Sequence, residues 1–385
     1  MKRIVLWMLV ILSLCLSGCQ SPQLAETTVP TAAPVPSAPQ EDHAIEMKDN
    51  TFFVKPATVR FMGRHHLNVQ EIAYGFYNTA AGIVFDCETT TLKLEMFASA
   101  YMEHWLNYVA VYIDDREPVS ICVSKPGWYT VAEDLEPGVR HTVRVVKQSM
   151  SNAGAVYIRT VELSEGGRAW TNTDVRPHRI QVLGDSITCG YGTLWDGSDS
   201  EEVTVYQGGD RSYAVKLAQM LNAELEVVAI SGIGVGNADN QPYPLLPSYL
   251  QEDMHNGIAC DFGRFVPEVV VIALGTNDHG HQNPIEVFAS NAAEMIRTIR
   301  QQYPDAIIVW TYGAMGAPYG PRIAEMIADL AAEGMEDVYY LPFVPRGEEP
   351  MGQHGHPGQE AHDRMAEELA ELISQLTGWP VLPTE

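Results

Sequence analysis

Positive charge is scarce in this chain: 24 lysines and arginines face 49 aspartates and glutamates, for a formal net charge of −25. That composition excludes nucleic acid as a partner, because phosphates are held by clustered Lys and Arg, and it disfavours adhesion of the folded surface to anionic lipid. It suits a soluble surface that handles neutral or cationic molecules. Long apolar runs are missing as well. The run Ile4–Leu16 is too short to span a bilayer as a mature helix. Cysteine is sparse, with six residues, no CxxC and no metal-like spacing. His279 and His281 have no acidic cluster beside them, and their i, i+2 spacing puts them on different sides of a helix, so no metal site is expected. No cofactor is expected either. What is present is an ordinary hydrophobic fraction of 46% over 385 residues, enough for two or three domains with sizeable cores.

The N-terminus carries a targeting pattern. Lys2 and Arg3 precede the apolar run, which ends in Leu16-Ser17-Gly18-Cys19. This resembles a bacterial lipoprotein lipobox. The resemblance implies that residues 1–18 are a signal peptide and that Cys19 becomes a lipidated N-terminus, anchoring the protein to the extracytoplasmic face of the cell membrane. Residues 19–46 are rich in Pro, Thr, Ala and Ser, cannot bury a core, and read as an extended tether. Among the remaining cysteines, a Cys87–Cys122 disulfide and buried thiols both stay open.

From 47 to 165 the pattern is β. The segments 82–87, 91–97, 107–114, 118–123, 128–133, 141–147 and 156–163 are short, rich in branched and aromatic residues, and separated by turn signals. Such spacing predicts an antiparallel sandwich, jelly-roll-like in arrangement. After a polar link near Glu165–Pro177, fully apolar runs alternate with amphipathic stretches from 177 to 380, beginning with RIQVLG and ending with QEAHDRMAEELAELISQL. That alternation predicts an α/β layer with a parallel sheet covered on both faces. Ligands in such folds sit at the carboxyl ends of the strands.

Four polar clusters fall at those ends: Gly184-Asp185-Ser186, Ser231-Gly232-Ile233-Gly234, Gly275-Thr276-Asn277-Asp278, and His354-Gly355-His356-Pro357 before the last helix. Singly, each reads as a turn. In this order they resemble the four blocks of the SGNH (GDSL-like) hydrolases, whose fold is a flavodoxin-like three-layer α/β domain. The resemblance implies Ser186 as nucleophile and His356 as general base. It implies an oxyanion hole made of the Ser186 and Gly232 backbone N–H groups and the Asn277 amide, with Gly234 the nearby rival donor. Asp185 would hold the nucleophile turn.

One position departs from the pattern. Many members place Asp three residues before the histidine, and here that residue is Gln353. A Ser-His dyad fits better, its imidazole steered by a backbone carbonyl or a neutral side chain. A sandwich ahead of such a domain is similar to carbohydrate esterase family 2, as are the local motifs VRFMGRH (59–65) and HTVRVVK (141–147). This narrower resemblance implies removal of acetyl groups from polysaccharides such as xylan or glucomannan. Tyr191 and Trp195 are candidates for contact with the sugar, with Tyr243 and Tyr319 also near the expected mouth; each is equally at home as packing. Cys189, three residues after the serine, has no basic neighbour in sequence and reads as filler. The rival readings are a lipid or lysophospholipid esterase on the same fold and a carbohydrate-binding protein with a dead site.

Overall fold

The computed structural model of this chain describes residues 44–99, 105–198, 203–236, 245–251 and 257–383. Its N-terminal part is two antiparallel sheets of six strands each. One sheet runs His66–Asn68, Ala73–Phe76, Val156–Leu163, Leu92–Ala98 and Gly127–Ala132, with Thr51–Phe53 also paired to Val156–Leu163. The other runs Arg168–Thr171, Gly82–Glu88, His141–Lys147, Tyr108–Ile113 and Val119–Cys122, with Arg60–Met62 beside Gly82–Glu88. Alternating residues of both sheets, among them Phe85, Leu94, Met96, Val111, Val143 and Ile158, close one apolar core between them. This is the expected jelly-roll-like sandwich, extended by short strands at 51–53, 60–62, 66–68, 73–76 and 168–171 that carry too few residues to show a period.

The second part is a five-stranded parallel sheet. Its strands are β1 (His178–Gly184), β2 (Ala223–Ala229), β3 (Val269–Ala273), β4 (Ile307–Tyr312) and β5 (Val338–Pro342). Their spatial order is β2-β1-β3-β4-β5, all parallel, which is the flavodoxin-like order. Alternation along the strands sorts the core into two layers. Leu183, Val270, Ile272 and Trp310 face α2 (Ile285–Gln302) and α3 (Gly320–Ala332), while Ile180, Val182, Val271 and Val309 face α1 (Tyr213–Met220) and α4 (Gln359–Thr377). The α/β three-layer fold is therefore as expected.

Sandwich and α/β layer lie within one compact unit, Asp42–Glu385. A buried ion pair ties them: Arg64 Nε lies 3.1 Å from Glu226 on β2, and its Nη1 donates to the carbonyls of Tyr249 and Gln251. Gln181 on β1 donates to the same Glu226 carboxylate at 2.7 Å. Cys87 and Cys122 stand on strands of one sheet with two others between them, at least about 14 Å apart at ordinary strand spacing and further along the strands by their register. A disulfide needs Cα atoms within about 7 Å, so these thiols are not bridged. Cys19 and Tyr243 lie outside the described residues. Among the described residues no helix is long and apolar enough to cross a membrane.

Candidate active site

The chain leaves β1 through Gly184 into a tight turn. A side chain at 184 would collide with Thr188, so glycine is required for the turn to close under the strand end. Asp185 is fully buried there, and its Oδ1 accepts from the Ile187 N–H at 3.0 Å, which fixes the turn. Burial pushes its carboxyl up to about 7. The next residue, Ser186, is presented at the carboxyl edge of the sheet.

His356 reaches the same point from the segment before α4. Its Nε2 lies 2.8 Å from Ser186 Oγ. Its Nδ1 lies 3.2 Å from the backbone carbonyl of Gln353. A carbonyl can only accept, so Nδ1 carries the proton and the Nε2 lone pair faces the serine hydroxyl. Among the described residues no carboxylate bonds to the ring. The Gln353 side-chain Oε1 is buried without a partner among the described residues. Burial holds the His356 imidazole below its ordinary value. The local backbone is unusual: His354 (φ 54°) and Gly355 (φ 74°) are both left-handed, and this double turn swings His356 inward.

Tyr191 sits beside this pair, and Trp195 lies on the loop that follows. The Tyr191 ring packs on the His356 ring with centroids 4.4 Å apart, and its hydroxyl meets His354 Nδ1 at 3.0 Å. Trp195 is partly exposed on the following loop, its indole N–H donating to the Ser198 carbonyl at 2.8 Å. The loop is stitched to the histidine segment through the Gly192 carbonyl, which accepts from both Trp195 N and Gln353 N. Tyr319 does not reach the mouth: it is buried, and its hydroxyl donates to the Asn283 carbonyl. Cys189 is fully buried, and that burial pushes its thiol up to about 12, consistent with filler. Among the described residues no His, Cys, Asp and Glu group is arranged to hold a metal.

The second and third blocks meet behind the serine. Gly232 is left-handed (φ 82°), and a side chain there would meet no described atom within 4 Å. Neither the Ser186 nor the Gly232 N–H has a partner among the described residues. The Asn277 amide donates to the Ile233 carbonyl at 2.8 Å and, at a longer 3.3 Å, to Asp185 Oδ2. Asp278 braces the loop, accepting from Val235 N, Gly236 N and Asn283 Nδ2. The sandwich contributes too. Asn152 clasps Ser231 at both ends, accepting from its N–H at 2.9 Å and donating to its carbonyl at 3.1 Å. Ser151 Oγ donates to the Ala229 carbonyl at 2.7 Å, and buried Lys147 donates to the Ser149 and Met150 carbonyls. Sequence reading missed Asp278, although it stands in the GTND cluster itself. It also missed Asn152, which no spacing links to Ser231.

A serine activated by a neutral imidazole, with unpaired backbone N–H groups close by at the mouth of a flavodoxin-like sheet, defines a serine ester hydrolase. Residues 182–372 match the GDSL-like Lipase/Acylhydrolase family, and residues 61–172 match the Carbohydrate esterase 2 N-terminal family. The chain belongs to the GDSL-like lipase/acylhydrolase family, with a carbohydrate esterase 2 N-terminal domain ahead of the catalytic layer. It is 33% identical over 254 residues to the Cellulase/esterase CelE of Acetivibrio thermocellus, covering 64% of this chain but only 31% of that protein. It is 23% identical over 353 residues to an Acetylxylan esterase / glucomannan deacetylase of Cellvibrio japonicus, covering 89% of this chain and 96% of the relative. A family two carbohydrate esterase from Clostridium thermocellum, solved in complex with cellohexaose, superposes with a TM-score of 0.76 at 24% identity, covering 83% of this chain and 99% of that one.

Proposed function

We propose that the protein is a lipid-anchored, extracytoplasmic O-acetyl esterase acting on acetylated polysaccharide such as xylan or glucomannan. The observation that carries the hydrolytic part is the 2.8 Å contact between Ser186 Oγ and His356 Nε2 with a carbonyl behind the ring. The carbohydrate part is supported by the match to the esterase 2 N-terminal domain and by similarity to the Cellvibrio acetylxylan esterases / glucomannan deacetylases.

The reaction follows from the geometry. Ser186 Oγ attacks the ester carbonyl while His356 Nε2 takes its proton. The tetrahedral oxyanion is met by the Ser186 and Gly232 N–H groups. The Asn277 N–H held at 3.3 Å by Asp185 is the weaker of its two bonds and the one an oxyanion would draw away. The imidazolium protonates the leaving alkoxide, giving the sugar hydroxyl and an acyl-serine. Water then attacks with His356 again as base and releases the carboxylic acid. Tyr191, packed on the His356 ring, and Trp195, exposed on the loop that follows, are the candidates for sugar contact.

A second reading has one observation in its favour. Beside His356 opens a cleft of about 390 Å³ lined partly by Met315, Pro345, Pro350 and Met351, larger than an acetyl methyl needs. A longer acyl chain would suit it, as in a lipid esterase. Acetate release from acetylated xylan and glucomannan, compared with hydrolysis of 4-nitrophenyl acetate, butyrate and octanoate, separates the two. An acetyl esterase loses rate steeply along that series. Equal or rising rates with chain length, and no release from the polysaccharides, would sink the carbohydrate reading.

A further inference from the structure

Between the sandwich and the α/β layer lies a second pocket that the hydrolytic reaction does not use. It is bounded by Arg60, Tyr112 and Arg144 from the sandwich, Arg176 from the linking segment, and Glu224 at the start of β2, with Asp210 beside them. The reacting groups sit past the other ends of the strands. β2 spans Ala223–Ala229, so the pocket and the oxyanion loop are about 20 Å apart along it.

Its charge is unusual for this protein. Three guanidiniums converge in a chain whose net charge is −25. The nearby carboxylates are already engaged. Glu224 pairs with Arg60 Nη1 at 2.8 Å and accepts the Arg176 backbone N–H at 3.0 Å. Asp210 Oδ2 accepts the Tyr112 hydroxyl at 2.6 Å and lies 3.9 Å from Arg211 Nε. Asp174 is within electrostatic reach of Arg176 but stands exposed. The Arg176 guanidinium makes do with backbone carbonyls of Ala218 and Ala223. Arg144, half-buried, lies over the Tyr112 ring at 4.7 Å and has no acceptor among the described residues. The buried Arg60 Nε also lacks one.

Like charges packed into a half-buried space repel one another and need a counter-charge. Burial lowers the Arg176 guanidinium; Glu224 offsets part of this, and Arg144 and Arg60 lower it further. We infer that the pocket binds a small oxyanion, held between Arg60, Arg144 and Arg176. The room, about 100 Å³, admits one small anion and excludes a sugar chain or a fatty acyl tail. Charge selects among anions. Phosphate near pH 7 carries about −1.5 to −2 and three strong acceptor oxygens, whereas acetate carries a single charge and two oxygens, so three guanidiniums favour phosphate.

The test is titration of the full chain at pH 7 with inorganic phosphate or acetate, read by calorimetry and melting temperature, with sodium chloride at matched ionic strength as reference. The expected result is one-site, saturable binding and a melting-temperature rise for phosphate, with acetate weaker. Arg144→Gln should weaken phosphate at least about tenfold, the loss of one charge-assisted contact, with ester hydrolysis unchanged; Arg144→Lys should retain part of the affinity. Saturable binding of acetate but not phosphate would keep the oxyanion site and reverse its selectivity. No saturable response to either anion in the unmutated chain would overturn the proposal, as would a phosphate response that survives Arg144→Gln.

Discussion

At Gln353 the side chain and the backbone have different jobs. The carbonyl is the partner of His356 Nδ1, whereas the side-chain Oε1 has no partner among the described residues. Gln353→Ala keeps the carbonyl, so turnover of a small acetyl ester should fall only a few-fold, against about 10⁴-fold when a triad carboxylate is lost from a serine protease. Ser186→Ala and His356→Ala should each abolish turnover, while His354→Ala, which removes only a partner of Tyr191, should cost far less. A Gln353→Ala enzyme as damaged as His356→Ala would show that the ring is oriented otherwise. The pH profile tests the same geometry. The base works only when neutral, so activity is lost as pH falls through the His356 value. Burial lowers that value and no carboxylate raises it, so the acid limb of kcat/KM should have its midpoint below the ordinary 6.5. A midpoint well above 6.5 would mean that an anion faces the imidazole.

Among the elements, the segment after the strand His141–Lys147 matters most. Residues 149–152 leave the sandwich and clip the end of β2, with Ser151 on Ala229 and Asn152 on Ser231. The residue after Ser231 is Gly232, the proposed oxyanion donor. On that reading Asn152 is a positioning residue, acting through the peptide it fixes. Asn152→Ala should lower kcat by about one to two powers of ten, less than direct loss of a donor at 10²–10³, with KM little changed. Asn152→Asp, which can still accept from Ser231 N but not donate to its carbonyl, should fall between. If both variants raise KM and leave kcat intact, the clip shapes the binding surface and not the oxyanion hole. The motif HTVRVVK was visible in sequence, and its final lysine is now seen to hold the clip's carbonyls, but nothing in QSMSNA pointed across to SGIG.

For the whole molecule, the surface charge and the N-terminus make a joint statement. A net charge of −25 gives the folded part no electrostatic hold on an anionic bilayer, so any membrane association must come from the acyl chains expected on Cys19. Cys19→Ala should move the protein from the membrane fraction to the soluble one without changing kcat/KM on a small ester. Membrane association that survives this change would overturn the lipid anchor.

The sequence by itself determined the layers and the chemistry. Periods of two and of unbroken apolar strands are local properties, so the sandwich, the parallel sheet and the strand-end clusters holding Ser186, Gly232, Asn277 and His356 could be read from the chain. Gln353 likewise announced a dyad. Tertiary structure decided what depends on atoms far apart in sequence. It chose the carbonyl over the amide as the imidazole's partner, placed Tyr191 on the catalytic ring and Tyr319 in the interior, separated Cys87 from Cys122, and brought Asn152 to Ser231. It also gathered three arginines at 60, 144 and 176 into one pocket. Such pairings are fixed by how two layers dock, and docking is set by the summed packing of both cores, which no single stretch of residues encodes.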